Sequence, residues 1–226
     1  MFRCCFVIAV IFSVPVQASE RVDQLVLDAL QLEPNARAGA RIYQDQCVTC
    51  HGRNALGDAK KVVPMLAGQR QAYLVKQLAD FFAGERSATS MHAVVKRVGI
   101  DEPQTWMDVA AYLNGLRSSG QASAASKATA LGKQLYEQQC LECHGPDGRG
   151  DEDGFVPSLR HQLPAYLIRE MSAFAASHRA NADQDFMQFL DRLDPPAMEA
   201  LAMYLAQIRG PVRDLTRLRN DGHGGD

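Results

Sequence analysis

What the chain lacks narrows it first. It has no excess of either charge, with 24 Lys and Arg against 26 Asp and Glu, a formal net charge of −2. Nucleic-acid binding, which needs a basic face to neutralise phosphates, is not expected. The alternating pattern of a half-buried strand is missing, so an all-α fold is expected. Beyond the N-terminus no apolar run approaches the ~20 residues of a membrane-spanning helix. Isolated cysteine is also lacking. The six cysteines are Cys4, Cys5 and two pairs, Cys47/Cys50 and Cys140/Cys143.

What is present at the N-terminus reads as an export signal over residues 1–18. Arg3 supplies the positive start, Cys4 to Val16 is nearly all apolar, and Val16-Gln17-Ala18 offers small residues for a peptidase. An uncleaved anchor is the competing reading. Cleavage would remove Cys4 and Cys5 and leave thiols only in the two pairs. An exported chain without spare thiols is chemically consistent, because stray thiols oxidise outside the cytoplasm.

The chain repeats itself at an offset of 93. From Gly39/Gly132 to Arg86/Arg179 there are 48 paired positions without a gap, and 19 are identical. Such a register marks an internal duplication. RSSGQASAASKA has linker composition and no apolar period. The expected organisation is an extension over 19–32, a first domain over 33–117, a linker over 118–128, a second domain over 129–210 and a flexible tail over 211–226. Domains this small benefit from an added structural nucleus. Helices are expected before each cysteine pair, over QAYLVKQLADFFAG and PAYLIREMSAFAAS, and after Pro103 and Pro195, with Asp194 as an N-cap. SERVDQLVLDAL adds a short helix. The Arg209, Arg213, Arg217 and Arg219 cluster reads as a solvated face.

Each cysteine pair is followed directly by a histidine, in Cys47-Val-Thr-Cys50-His51 and Cys140-Leu-Glu-Cys143-His144. A zinc site would draw Cys50 and Cys140 together across 90 residues and two repeats, against the ~15–20 usual between such pairs. A thioredoxin-like dithiol needs a βαβ context, which is missing. Covalent haem uses every element: two thioethers along one edge of the ring, then an imidazole to the iron. The pattern predicts two haems c, attached through Cys47, Cys50, Cys140 and Cys143, with His51 and His144 as axial ligands.

The sixth ligand separates a carrier from a reactor. A methionine thioether favours ferrous iron and closes the site, whereas an open position binds small molecules. In the first half Met91, 40 residues after His51 in a polar loop, is expected to close the iron. Met65, Met107 and His92 are its rivals. In the second half Met187, 43 residues after His144, is the counterpart. Met171 and His161 pair with Leu78 and Gly68, Met198 and Met203 have core spacing, and His178 pairs with Glu85.

CVTCHG, PMLAGQ, YLVKQLADFFAGER and VAAYL, with CLECHG, PSLRHQ, AYLIREMSAF and ALAMYL, resemble the dihaem cytochromes c4 and related c553-type proteins. The resemblance implies two tandem class I cytochrome c domains about a pseudo-twofold axis, with haem edges close together. It implies a periplasmic carrier of single electrons, not an enzyme, serving a terminal oxidase or a quinol-oxidising complex with at most peripheral membrane contact. It also implies that Pro64 and Pro157 offer carbonyls to the ring N–H of His51 and His144, and that Gly39 meets Tyr112 as Gly132 meets Tyr204. A cytochrome subunit of a dehydrogenase, for example a sulfide-oxidising one docking through SERVDQLVLDAL or the Arg-rich tail, is an alternative. A dihaem peroxidase is a third reading, requiring a releasable sixth site.

Overall fold

A computed structural model describes residues 18–86, 89–97, 100, 102–118, 127–176 and 184–208. Residues 1–17 of the signal segment, His178, the Arg-rich tail and most of the linker lie outside the described residues. Described residues form helices α1 (Ala18–Leu30), α2 (Ala36–Gln46), α3 (Val48–His51), α4 (Gln71–Ala83), α5 (Thr89–Arg97) and α6 (Pro103–Gly115) in the first half. The second half has α7 (Lys127–Gln139), α8 (Leu141–His144), α9 (Pro164–Ala175), α10 (Gln184–Asp191) and α11 (Pro195–Gln207). Among the described residues there is no strand, only the isolated bridges Asp58–Val63 and Asp151–Val156. None of these helices is long and apolar enough to cross a membrane.

The architecture repeats. α2 crosses α6 and α7 crosses α11, with α4 on α6 and α9 on α11. Glycine makes both crossings possible. A Cβ at Gly39 would stand 1.9 Å from the Asp108 carbonyl oxygen, and one at Gly132 would stand 2.1 Å from that of Ala200. Gly132 also lies against the Tyr204 Cβ, as expected, and the nearest neighbours of Gly39 are the backbone atoms of Asp108 and Val109. Tyr112 packs on Tyr43 at 5.5 Å between ring centroids, and Tyr204 packs on Tyr136 at the same distance. Asp194 caps α11 by accepting from the Ala197 N–H at 2.8 Å.

Two departures from the sequence reading concern helices. α1 is no mere appendage: Val22, Val26 and Ala29 are buried in the first core, where α1 packs on α4 and α6. Met91 lies in α5, not in a polar loop. Met91, Val94 and Val95 recur at i, i+3 and i+4, and burying Val95 holds the short helix against α4 despite its Ser-Thr start.

The halves meet through reciprocal contacts. Gln69 donates to the Ser158 carbonyl at 2.9 Å and accepts from the Ser158 N–H at 2.7 Å. Gln162 donates to the Met65 carbonyl and accepts from the Met65 N–H, both at 2.9 Å. Residues 69 and 162, and 65 and 158, are paired by the 93-residue offset, so the contact is related by a pseudo-twofold. Around it, the Glu152 carboxylate accepts from the Gln71 and Ala72 N–H groups at 3.1 and 2.9 Å, capping α4 from the other half. Arg70 donates to the Arg149 and Gly150 carbonyls, and Arg169 to the Val62 carbonyl.

Candidate functional site

Each pentad starts at the end of a long helix and closes in one tight turn. The Cys47 and Cys140 N–H groups donate to Tyr43 and Tyr136 carbonyls, finishing α2 and α7. The next turn, α3 or α8, returns the His51 N–H to the Cys47 carbonyl at 3.0 Å and the His144 N–H to that of Cys140 at 2.9 Å. Gly52 and Gly145, at φ 78° and 74°, then turn the chain away from the helix, a conformation that suits residues without Cβ. Cysteines three apart on a helical turn share one face. Cys140 is buried and Cys47 half-buried, while Cys50 and Cys143 are exposed.

The loop that follows builds a cradle for each histidine. The Gly57 N–H donates to the His51 carbonyl and the Gly150 N–H to that of His144, both at 3.0 Å. Tyr43 and Tyr136 donate their hydroxyls to the Gly52 and Gly145 carbonyls. The loops then bring Pro64 and Pro157 back over the rings: His51 Nδ1 lies 3.0 Å from the Pro64 carbonyl oxygen, and His144 Nδ1 lies 3.0 Å from that of Pro157. With a carbonyl opposite, Nδ1 is the protonated nitrogen and donates. Burial pulls both imidazole pKa values below their ordinary range, against the opposing effect of those carbonyls. With Nδ1 turned to the carbonyl, Nε2 is the ring nitrogen left to face a ligand.

This donor set fits a group that takes two thioethers and one imidazole, and fits the rival chemistries poorly. A redox dithiol needs a depressed thiol pKa. Burial, with Cys50 adding, pushes the Cys47 thiol up to about 11; burial, with Cys143 adding, pushes Cys140 up to about 12. Among the described residues no three His, Cys, Asp or Glu side chains converge as a metal site.

The candidate sixth-position residues lie apart in sequence from the pentads. Met91, half-buried in α5, packs against the first core. Met187 sits half-buried in α10, beside the face that Phe186, Phe189 and Leu190 turn to the second core. Several rivals are otherwise engaged. Met65, Met107 and Met171 are buried core residues, and Met198 packs on the second core. His92 Nδ1 is 2.6 Å from the Phe81 carbonyl oxygen, and His161 Nδ1 is 3.2 Å from Ser118 Oγ.

Gln69 and Gln162 are the pair whose role the sequence reading missed. Both are buried, 8 % and 5 % exposed, and each grips the residue directly after the other half's proline. Their identity across the 93-residue offset was a visible signal. What they bind was not, because it lies in the other repeat.

The Cytochrome c family model matches residues 36–117 and again 129–209. The thiosulfate dehydrogenase electron acceptor of Stutzerimonas stutzeri (strain A1501) is 30 % identical over 198 residues, covering 79 % of this chain and 90 % of that protein. Cytochrome c4 of Stutzerimonas stutzeri is 30 % identical over 177 residues, covering 70 % and 82 %. The crystal structure of reduced recombinant cytochrome c4 from Pseudomonas stutzeri superposes with a TM-score of 0.68 at 28 % identity, covering 78 % of this chain and all of that one. Two matched domains, two Cys-x-x-Cys-His pentads and dihaem relatives along most of the length lead to one conclusion: the chain belongs to the cytochrome c family, as a dihaem electron carrier of the c4 type with a covalently attached haem c in each of its two tandem domains.

Proposed function

We propose that this protein passes single electrons between periplasmic redox partners and carries out no bond-making chemistry of its own. In this reading Cys47 and Cys50 attach the first haem and Cys140 and Cys143 the second. His51 and Met91 are the axial ligands of one iron, and His144 and Met187 those of the other. When bound, each haem supplies one-electron exchange at an iron whose ligands stay the same in both oxidation states. The protein fixes each imidazole through Pro64 or Pro157, orienting it and strengthening its donation. The observation that carries the reading is this duplicated Cys-Cys-His-carbonyl arrangement, identical in register and in its 3.0 Å contacts.

The test is spectroscopic. The oxidised protein should show the weak near-infrared sulfur-to-iron band with an intensity worth two methionine-ligated irons. Met187→Ala should remove half of it and lower the potential of the second haem. An unchanged band after Met187→Ala refutes that ligand. A single band's worth in the unsubstituted protein, with rapid carbon monoxide binding at the other iron, refutes the pure carrier.

A second reading is favoured by one relative. The 30 % identity to a thiosulfate dehydrogenase electron acceptor supports a dehydrogenase as the electron donor, with a terminal oxidase or other respiratory complex downstream. Reduction of the purified protein by a thiosulfate dehydrogenase, at a rate that saturates with protein concentration, would establish that donor. Residues 1–18 serve as the export signal in this account, and mass spectrometry of the exported protein would locate its N-terminus.

A further inference from the structure

The peptide group joining Pro64 to Met65 is held from both ends. Its carbonyl oxygen faces His51 Nδ1 at 3.0 Å, and its N–H donates to Gln162 Oε1 of the other domain at 2.9 Å. The peptide group joining Pro157 to Ser158 is held in the same way, by His144 Nδ1 at 3.0 Å and Gln69 Oε1 at 2.7 Å. We propose that Gln162 and Gln69 are positioning residues for electron transfer, each tuning the potential of the haem in the opposite domain through one polarised peptide and its histidine. This rests on His51 and His144 being the iron ligands.

The physical basis is amide resonance. The C–N bond has partial double-bond character, so an acceptor on the N–H side shifts electron density to the carbonyl oxygen. Hydrogen bonds in such a chain strengthen one another. A richer carbonyl draws harder on the imidazole N–H, and the ring donates more strongly to the metal. Stronger donation stabilises ferric iron and lowers the potential.

The glutamine amides are themselves fixed. Gln162 Oε1 also accepts from the Leu163 N–H at 3.0 Å, and Gln69 Oε1 from the Arg70 N–H at 2.8 Å. Their Nε2 atoms donate to the Met65 and Ser158 carbonyls, both at 2.9 Å. Flipping either amide would turn an NH2 group toward two backbone donors, so the oxygen must face the relay peptide. Both side chains are buried, which keeps water from replacing them. Each domain's imidazole thus depends on the other domain being docked.

The experiment uses the full holoprotein. Haem-methyl signals followed by NMR through a redox titration give each haem's ferric-to-ferrous ratio, and 15N-labelled histidine reports the Nδ1–H resonances of the reduced protein. If two haem-shifted Nδ1–H resonances assignable to His51 and His144 are missing from the unsubstituted protein, the ligand reading fails. Given those resonances, Gln162→Leu should move the His51 Nδ1–H signal upfield. It should lower the first haem's ferric-to-ferrous ratio at fixed poise by roughly 1.3- to 4.6-fold, from 10–30 % of a charge-assisted bond. A 4.6-fold change is about 39 mV at 59 mV per tenfold for one electron. The second haem should move far less, and Gln69→Leu should give the mirror pattern.

Gln162→Glu separates tuning from packing. A carboxylate still accepts from both N–H groups, which favour its charged form, but it loses the donor to Met65. The His51 Nδ1–H signal should then move downfield, opposite to Gln162→Leu, although both variants break the same donor bond. Tyr166→Phe removes a different bond across the interface, from Arg86 Nη2 at 2.9 Å. It should leave the crossed pattern absent. Equal shifts at both haems, the same direction for Leu and Glu, or the crossed pattern in Tyr166→Phe would each overturn the relay while leaving the ligands intact.

Discussion

Replacing Arg86 by methionine tests how the two domains are held. Arg86 Nη1 donates to Gln77 Oε1 at 2.6 Å, while Nη2 reaches Tyr166 Oη at 2.9 Å and Glu170 Oε2 at 2.6 Å, both across the interface. Its guanidinium carbon lies 4.6 Å above the centre of the Phe81 ring. Burial opposes the charge, but Tyr166, Tyr73 and Glu170 outweigh it and raise the pKa, so the group stays cationic. Methionine keeps the apolar stem and removes the cation. The Glu170 side chain, 13 % exposed, then loses Arg86 and retains Arg169, at 2.9 Å from its other oxygen. Removing one partner of a buried pair costs ~3–5 kcal/mol, and the retained, exposed Arg169 reduces this to about 2–3 kcal/mol. At ~2–4 °C per kcal/mol for a chain of this size, the melting midpoint should fall by roughly 4–12 °C. Urea unfolding of the holoprotein, followed by haem absorbance and near-UV circular dichroism, gives the number directly. Adding Glu170→Gln to Arg86→Met removes the stranded charge and should recover about 1 kcal/mol. A loss below about 1 kcal/mol, or no recovery in the double variant, would show that this pair does not carry the interface.

Two further outcomes follow from packing and charge. Gly132→Ala forces a Cβ to within 2.1 Å of the Ala200 carbonyl oxygen and 2.7 Å of the Tyr204 Cβ, so α7 and α11 must part; a loss of at least ~1–3 kcal/mol is expected. Gly115→Ala, with nothing within 4 Å of the new Cβ, should instead be neutral or stabilising by up to ~1 kcal/mol, and equal urea midpoints for the two variants would refute the contrast. Glu85 has its carboxyl raised, by burial first and then by Asp80. The folded state therefore holds that proton more tightly, and the resulting penalty is complete above the folded pKa and vanishes below the ordinary glutamate value of ~4.3. Glu85→Gln should raise the urea midpoint at pH 7 and confer no gain well below pH ~4; a gain at both would refute the assignment.

The part of this protein legible in its sequence is the part governed by short spacing. Two cysteines and a histidine on one turn need no distant partner to declare a haem attachment, helical spacing placed α4 and α9, and proline starts placed α6 and α11. Legibility stopped where the repeat register stopped. After Arg86 and Arg179 the offset fails, and there Met91 was read as a loop residue although Val95 buries itself and draws that segment into a helix. α1 was likewise read as an extension ahead of the first domain, because an amphipathic helix does not say whose core it will cover.

The sequence alone determined the duplication, the all-α class and the two Cys-x-x-Cys-His pentads, since each follows from covalent spacing or from matching residues at a constant offset. Tertiary structure alone decided that Gln69 and Gln162 cross to the opposite domain, that Glu152 caps a helix it does not precede, and that Arg86 ends against Tyr166 and Glu170. These depend on how two equivalent bodies are oriented. Local propensity and periodicity are the same for each body in every orientation, so only the packed molecule could choose.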